Sequence, residues 1–171
     1  TGFDINREVA RGLNSGSSHV DDVSDGQVCE MVEGGFEATS DPTVIKKADV
    51  VVICVPTPLS AHGGPDLTSV EDSVGLISQN LRAGHLVILE STTYPGTTEE
   101  VLIPGLEETG LRAGRDFHVA FSPERIDPGN QSFGIANTPK VVGGLDQVST
   151  NRAAQFYERF VNEVVRAKGP R

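Results

Sequence analysis

Short apolar runs rich in β-branched residues alternate with helical segments along the chain. Asp49 to Val55, read Asp-Val-Val-Val-Ile-Cys-Val, is the clearest strand. It is apolar on both faces, as a strand covered on both sides should be. Pro56-Thr57-Pro58 ends it abruptly. His85 to Leu89 is a second buried strand. Between the two, Thr68 to Leu81 puts Val70, Val74, Ile77 and Leu81 on one face of an amphipathic helix, which Gly84 ends. Upstream, Phe3 to Asn6 reads as the end of a strand and Arg7 to Asn14 as a helix stopped by Gly16. Val20 to Gly26 is polar and turn-like. Gln27 to Val32 suits a short helix ended by Gly34-Gly35, and Phe36 to Thr39 a short strand. Asp41-Pro42 opens a further helix, to about Ala48, with a capping side chain and then proline at the first helical position. Downstream, the pattern predicts a helix over Thr97 to Leu106, with Glu99 and Glu100 in the first turn where the helix dipole favours them. Phe117 to Phe121 and Lys140 to Val142 are further strands. Asn151 to about Val165 is a closing amphipathic helix, leaving a polar, frayed tail over 166–171.

Strands alternating with helices argue for an α/β fold around a parallel sheet, joined by right-handed crossovers. There is no internal repeat, and Gly63-Gly64-Pro65 marks a loop rather than a domain linker. The length of 171 residues suffices for one domain with a real core. The net charge of −10 argues against nucleic-acid binding, because an acidic surface repels phosphate backbones. It leaves room for a nucleotide cofactor, whose phosphates are held by local backbone N–H groups. No stretch approaches the roughly 20 apolar residues that span a bilayer, and no secretory signal opens the chain, so a cytoplasmic location is expected. Cys29 and Cys54 lack metal spacing and read as thiols in a reducing compartment. His19, His62, His85 and His118 are scattered, so no metal site is expected.

The segments that carry chemistry follow strand ends, where ligands sit in open α/β sheets. Asp4 stands between a strand and a helix. It is either an acidic residue of the kind that binds a cofactor ribose and repels a 2′-phosphate, or a turn former. In Cys54-Val55-Pro56-Thr57-Pro58, two prolines stiffen the loop and can hold Thr57 beside a ligand, or they merely stop the strand. Glu90-Ser91-Thr92-Thr93-Tyr94-Pro95-Gly96-Thr97-Thr98 carries more hydroxyls ahead of a helix than capping by Thr97 needs. Phe121 to Asn130 contains Glu124, a general acid or base on the same sheet edge, or else a surface carboxylate paired with Arg125.

Four ordered motifs resemble the UDP-glucose/GDP-mannose dehydrogenase family. They are Val-Pro-Thr-Pro at 55–58, the Glu-Ser-Thr-Thr-Tyr-Pro-Gly-Thr-Thr run at 90–98, Ser-Pro-Glu-Arg at 122–125 with Asp-Pro-Gly at 127–129, and Pro-Lys-Val-Val-Gly-Gly at 139–144. The resemblance runs from Gly2 to about Phe160. Within the family the second and third motifs look most like the bacterial UDP-N-acetylglucosamine 6-dehydrogenase branch. The resemblance implies a Rossmann-like doubly wound sheet and two NAD-dependent hydride transfers that oxidise the C6 alcohol of a UDP-sugar for surface polysaccharides. It implies that Asp4 binds the adenosine ribose and that Val55 and Thr57 line the NAD site. Thr92 matches the threonine beside the nicotinamide, which helps hold a water. Glu124 matches the glutamate at the reacting carbon, which aids thioester hydrolysis. Arg125 lies close to the substrate, and the whole enzyme is expected to be a homo-oligomer.

The family also opens with a strand and a GxGxxG turn, and carries a downstream cysteine nucleophile with lysine and asparagine helpers. These 171 residues contain none of them, and Cys54 does not match that nucleophile. The chain is therefore expected to be a middle slice of a longer protein: residues 1–165 a partial NAD-binding domain, 166–171 a tail, with the central and C-terminal substrate domains absent. In the usual order 3-2-1-4-5-6 the first strand is central. Its loss leaves unpaired edges, so the chain is expected to be marginally stable, to pair its second strand elsewhere, or to dimerise. A non-catalytic nucleotide-binding module and an inactive truncated product are the other readings. The presence of both Thr92 and Glu124 favours an enzymatic parent, since a binding module does not need both.

Overall fold

The alternation of strands and helices carries through to the computed structural model, which describes residues 1–60, 63–125, 134 and 136–171. The chain divides into two units, Thr1–Lys47 and Ala48–Arg171. In the first, β1 (Gly2–Phe3) pairs in parallel with β2 (Ala38–Thr39). Helix α1 (Arg7–Asn14) starts where the Asn6 side chain accepts the Glu8 N–H. Helix α2 (Asp25–Glu33) starts at a reciprocal Ser24–Gln27 capping box. Asn14 ties α1 to β2: its amide donates to the Ala38 carbonyl and accepts the Ala38 N–H, both at 2.8 Å. The segment opened by Asp41-Pro42 closes as a 3-10 helix, Pro42–Lys47, rather than an α-helix.

The second unit holds β3 (Val50–Ile53), α3 (Thr68–Ser78), β4 (Leu86–Leu89), α4 (Ile103–Glu107), β5 (His118–Phe121), β6 (Lys140–Gly144), α5 (Gln147–Tyr157) and β7 (Val164–Arg166). The strands form one sheet in the order β3-β4-β5-β6-β7. All four residues of β4 are buried, as its continuous apolar run requires. On one face, Ala153, Ala154, Tyr157 and Val161 pack against Leu86, Ile88, Ala120 and Val142. The β1–β2 pair is a separate sheet, and among the described residues β3 has a strand neighbour on one side only. No helix among them is long and apolar enough to cross a membrane.

The sheet is predominantly parallel, as expected, with β3-β4, β4-β5 and β6-β7 parallel and β6 antiparallel only to β5; several more local expectations are corrected. The chain re-enters the sheet at the edge from which β5 leaves, so β6 points the other way. Thr97 does not cap a helix with its side chain, which donates to the Tyr94 carbonyl instead. The backbone then makes a π turn, Thr98–Leu102, before α4. Pro104 accounts for this: it has no N–H to give, and its ring would crowd the Glu100 carbonyl in a regular α-helix.

The closing helix starts and stops earlier than its apolar spacing indicates. Asp146 caps it by accepting the Ser149 N–H at 2.6 Å. Val164 and Val165, which fit a helical face, instead join the open edge of β6, where β-branched side chains suit an extended backbone. The terminal residues are correspondingly tied down. Ala167 N–H donates to the Val142 carbonyl at 2.8 Å, and Arg171 pairs with Glu99. Gly144 lets α5 close on β6, while Gly143 leaves room for the backbone of Gly169. A Cβ at Gly144 would lie 2.3 Å from the Thr150 nitrogen and 2.7 Å from the Ser149 carbonyl carbon.

Candidate functional site

Because β3, β4 and β5 are parallel and in register, Ile53, Leu89 and Phe121 end level with one another. The segments after them, 54–57, 90–93 and 122–125, therefore leave from one sheet edge, and β6 enters at that edge with Lys140. The first contacts lace the Pro-Thr-Pro turn to the loop after β4. Thr57 Oγ1 donates to the Thr92 carbonyl at 2.5 Å. Ser91 Oγ donates to the Val55 carbonyl at 2.7 Å, and the Glu90 N–H to the Ile53 carbonyl at 2.9 Å. Val55, Thr57 and Thr92 are thus brought together, with the Thr92 side chain exposed.

The second set of contacts centres on Glu90. Its Oε1 accepts from Lys140 Nζ at 2.5 Å and from Tyr157 Oη at 2.6 Å. Its Oε2 accepts from Cys54 Sγ at 3.4 Å. Lys140 also lies 3.6 Å from Glu124 Oε2 and over the Tyr157 ring, 5.2 Å from its centroid. Glu124 Oε1 accepts the Arg125 backbone N–H at 2.7 Å. Burial, then the hydrogen bond to Glu90 and its negative charge, push the Tyr157 phenol well above its ordinary range. Cys54 is exposed by area, but its thiol is packed against Glu90. Desolvation there, reinforced by the Glu90 charge, pushes it up to about 12. A thiol so held is protonated at neutral pH and is a poor nucleophile.

Beside this cluster lies a cavity of about 200 Å³, lined by Val52, Glu124, Arg125, Lys140, Phe156 and Phe160 among others. That is smaller than the roughly 300–1,000 Å³ of typical ligand pockets, so it is a gap next to the cluster rather than a dinucleotide cleft.

Asp4 lies in the first unit, just after β1. Its Oδ1 accepts the Asn6 N–H at 2.7 Å, the turn-forming role open to it from sequence. His62 and the Asp-Pro-Gly of 127–129 fall outside the described residues. Sequence reasoning quoted Glu90 and Lys140 within motifs but assigned them no role, and it passed over Tyr157. No local signal marks Lys140: that it comes within reach of Glu124 depends on the antiparallel run of β6 beside β5, in which Phe121 opposes Gly143.

Residues 1–161 match the model of the UDP-glucose/GDP-mannose dehydrogenase family, NAD binding domain. The chain is 37% identical to UDP-N-acetyl-D-mannosamine dehydrogenase of Pyrococcus horikoshii, over 94% of this chain and 38% of that protein. It is 36% identical to UDP-N-acetyl-D-glucosamine 6-dehydrogenase of Pseudomonas aeruginosa, over 97% of this chain and 38% of that protein. The solved structure of the Pyrococcus horikoshii UDP-D-ManNAc dehydrogenase superposes with a TM-score of 0.90 at 35% identity, covering 99% of this chain and 41% of that one. A ternary complex of GDP-mannose dehydrogenase from Pseudomonas aeruginosa gives 0.87 at 26% identity, covering 99% and 41%. The chain thus spans about two fifths of the length of the relatives it matches.

Proposed function

The chain belongs to the UDP-glucose/GDP-mannose dehydrogenase family, as its NAD binding domain, and from that premise we propose that it is the cofactor half of an NAD-dependent UDP-sugar 6-dehydrogenase. The proposed substrate is a UDP-N-acetylhexosamine, oxidised at C6 from alcohol to carboxylate for surface polysaccharide synthesis. The observation that supports this most is the meeting of Thr57 and Thr92 at 2.5 Å on the same sheet edge as Glu124. That edge offers hydroxyls, a half-buried valine backbone and a carboxylate where open α/β sheets take their ligands, a mix of donors and acceptors that fits a nicotinamide dinucleotide.

In this reading Asp4, in the first unit, accepts hydrogen bonds from the adenosine ribose hydroxyls. In the second unit, Val55 and Thr57 line the cofactor's path, and Thr92 lies beside the nicotinamide and helps hold a water. Glu124 acts as general acid or base toward the sugar carbon, with Arg125 near the substrate. NAD, when bound, supplies the hydride acceptor. The test is NADH formation by the full-length protein given NAD and UDP-N-acetylglucosamine or UDP-N-acetylmannosamine, with two NADH expected per sugar. No reduction of NAD with any UDP-sugar overturns the proposal. In calorimetric titration of the same protein, Asp4→Ala is expected to weaken NAD binding about 10- to 100-fold, the worth of a hydrogen bond to a charged group. Unchanged affinity would leave Asp4 with its turn-forming role alone.

A further inference from the structure

We propose that Lys140 positions the Glu124 carboxylate for the reaction, with Glu90 and Tyr157 fixing the ammonium; this rests on the role given to Glu124 above. A lysine on a flexible four-carbon stem rarely defines a position on its own. Here the side chain is only 12% exposed, and it is pinned from several sides. Glu90 takes one N–H at 2.5 Å, the Tyr157 ring lies under the ammonium, and the Lys140 backbone N–H is held by the Glu163 carbonyl at 2.9 Å.

Glu124 is in the opposite situation. Its side chain is 44% exposed, and it stands three residues past the end of β5, where strand pairing no longer fixes it. Its two oxygens are oriented from two sides, Oε1 by the Arg125 N–H and Oε2 by the Lys140 charge. Glu90 is itself shared among Lys140, Tyr157 and Cys54, and an ammonium has three N–H donors. Lys140 therefore has donors beyond the one Glu90 takes. At 3.6 Å its contact with Glu124 is a charge contact rather than a tight hydrogen bond. Such a contact keeps the carboxylate in place yet lets it shift as a proton moves.

The experiment is a double-mutant cycle on kcat in the full-length protein. Lys140→Met is combined with Glu90→Gln, so that no buried carboxylate is left without its partner. If that protein does not fold, Lys140→Gln, which still donates to Glu90, takes its place. The expected result is a fall in kcat of about 10- to 100-fold, the scale of a misplaced reacting group, with KM for NAD unchanged. Lys140→Arg should recover most of that loss. In a Glu124→Gln background the same change should cost little more, because a residue that works through Glu124 has nothing left to position. Unchanged kcat, or a loss that simply adds to that of Glu124→Gln, would overturn the role of Lys140. Wild-type protein that reduces no NAD with any UDP-sugar would overturn the function itself, so the two failures are told apart.

Discussion

In urea denaturation, Gly144→Ala is expected to lose about 3 kcal/mol or more of folding free energy. The added methyl group would sit 2.3 Å from the Thr150 nitrogen and 2.7 Å from the Ser149 carbonyl carbon. Both are backbone atoms of the first turn of α5, so no rotamer change relieves the clash. The turn must move as a body. In moving it gives up the Asp146 cap on Ser149 and the bond from the Gly144 N–H to Thr150 Oγ1 at 2.9 Å. It also loosens a helix whose Ala153, Ala154 and Tyr157 cover the sheet. Gly75→Ala is the internal control. Gly75 lies inside α3, and a Cβ there meets nothing within 4 Å, so the substitution should raise stability by up to about 1 kcal/mol. A Gly144→Ala midpoint equal to that of the wild type would mean that α5 docks less closely than described.

The second large effect is on turnover. Glu124→Gln in the full-length protein is expected to lower kcat for UDP-sugar oxidation about 10²- to 10⁴-fold, the usual worth of a positioned acid or base. Glutamine keeps the shape and can still accept the Arg125 N–H that Oε1 takes at 2.7 Å, but it cannot carry a proton to or from the substrate. NAD affinity should stay as it was, since Asp4, Val55 and Thr57 are untouched. Steady-state NADH formation together with an NAD titration separates the two quantities. A parallel fall in NAD affinity would point to a collapsed loop rather than lost chemistry.

The parts of this fold legible in the sequence were those with a one-dimensional signature. The strands at 50–53 and 86–89 announce themselves by apolar runs with no polar face, and the helix over 68–78 by Val70, Val74 and Ile77. The gathering of Thr57, Thr92 and Glu124 at one edge follows from the rule that loops after parallel strands share a side. What stayed hidden depends on pairings between distant residues. Val164 and Val165 carry helical spacing, and only the vacant edge of β6 makes them a strand. The reversal of β6 decides that Lys140 faces Glu124, and nothing local to residue 140 states that direction. Glu90 is simply the first charged residue after a buried strand. Its three donors come from residues 54, 140 and 157, which no window along the chain places together.

The pairing of β7 with β6 also bears on where this module can be cut. The match to the family's domain ends at residue 161, yet Val164–Arg166 and the Ala167 N–H close the far side of β6. A recombinant fragment trimmed to the end of that match would strip that side of its hydrogen bonds. It would expose a row of bare amides and carbonyls suited to pairing with other molecules, and would withdraw the Glu163 carbonyl from Lys140. For expression or fusion the working boundary therefore lies past residue 167, several residues beyond the end of the family-domain match.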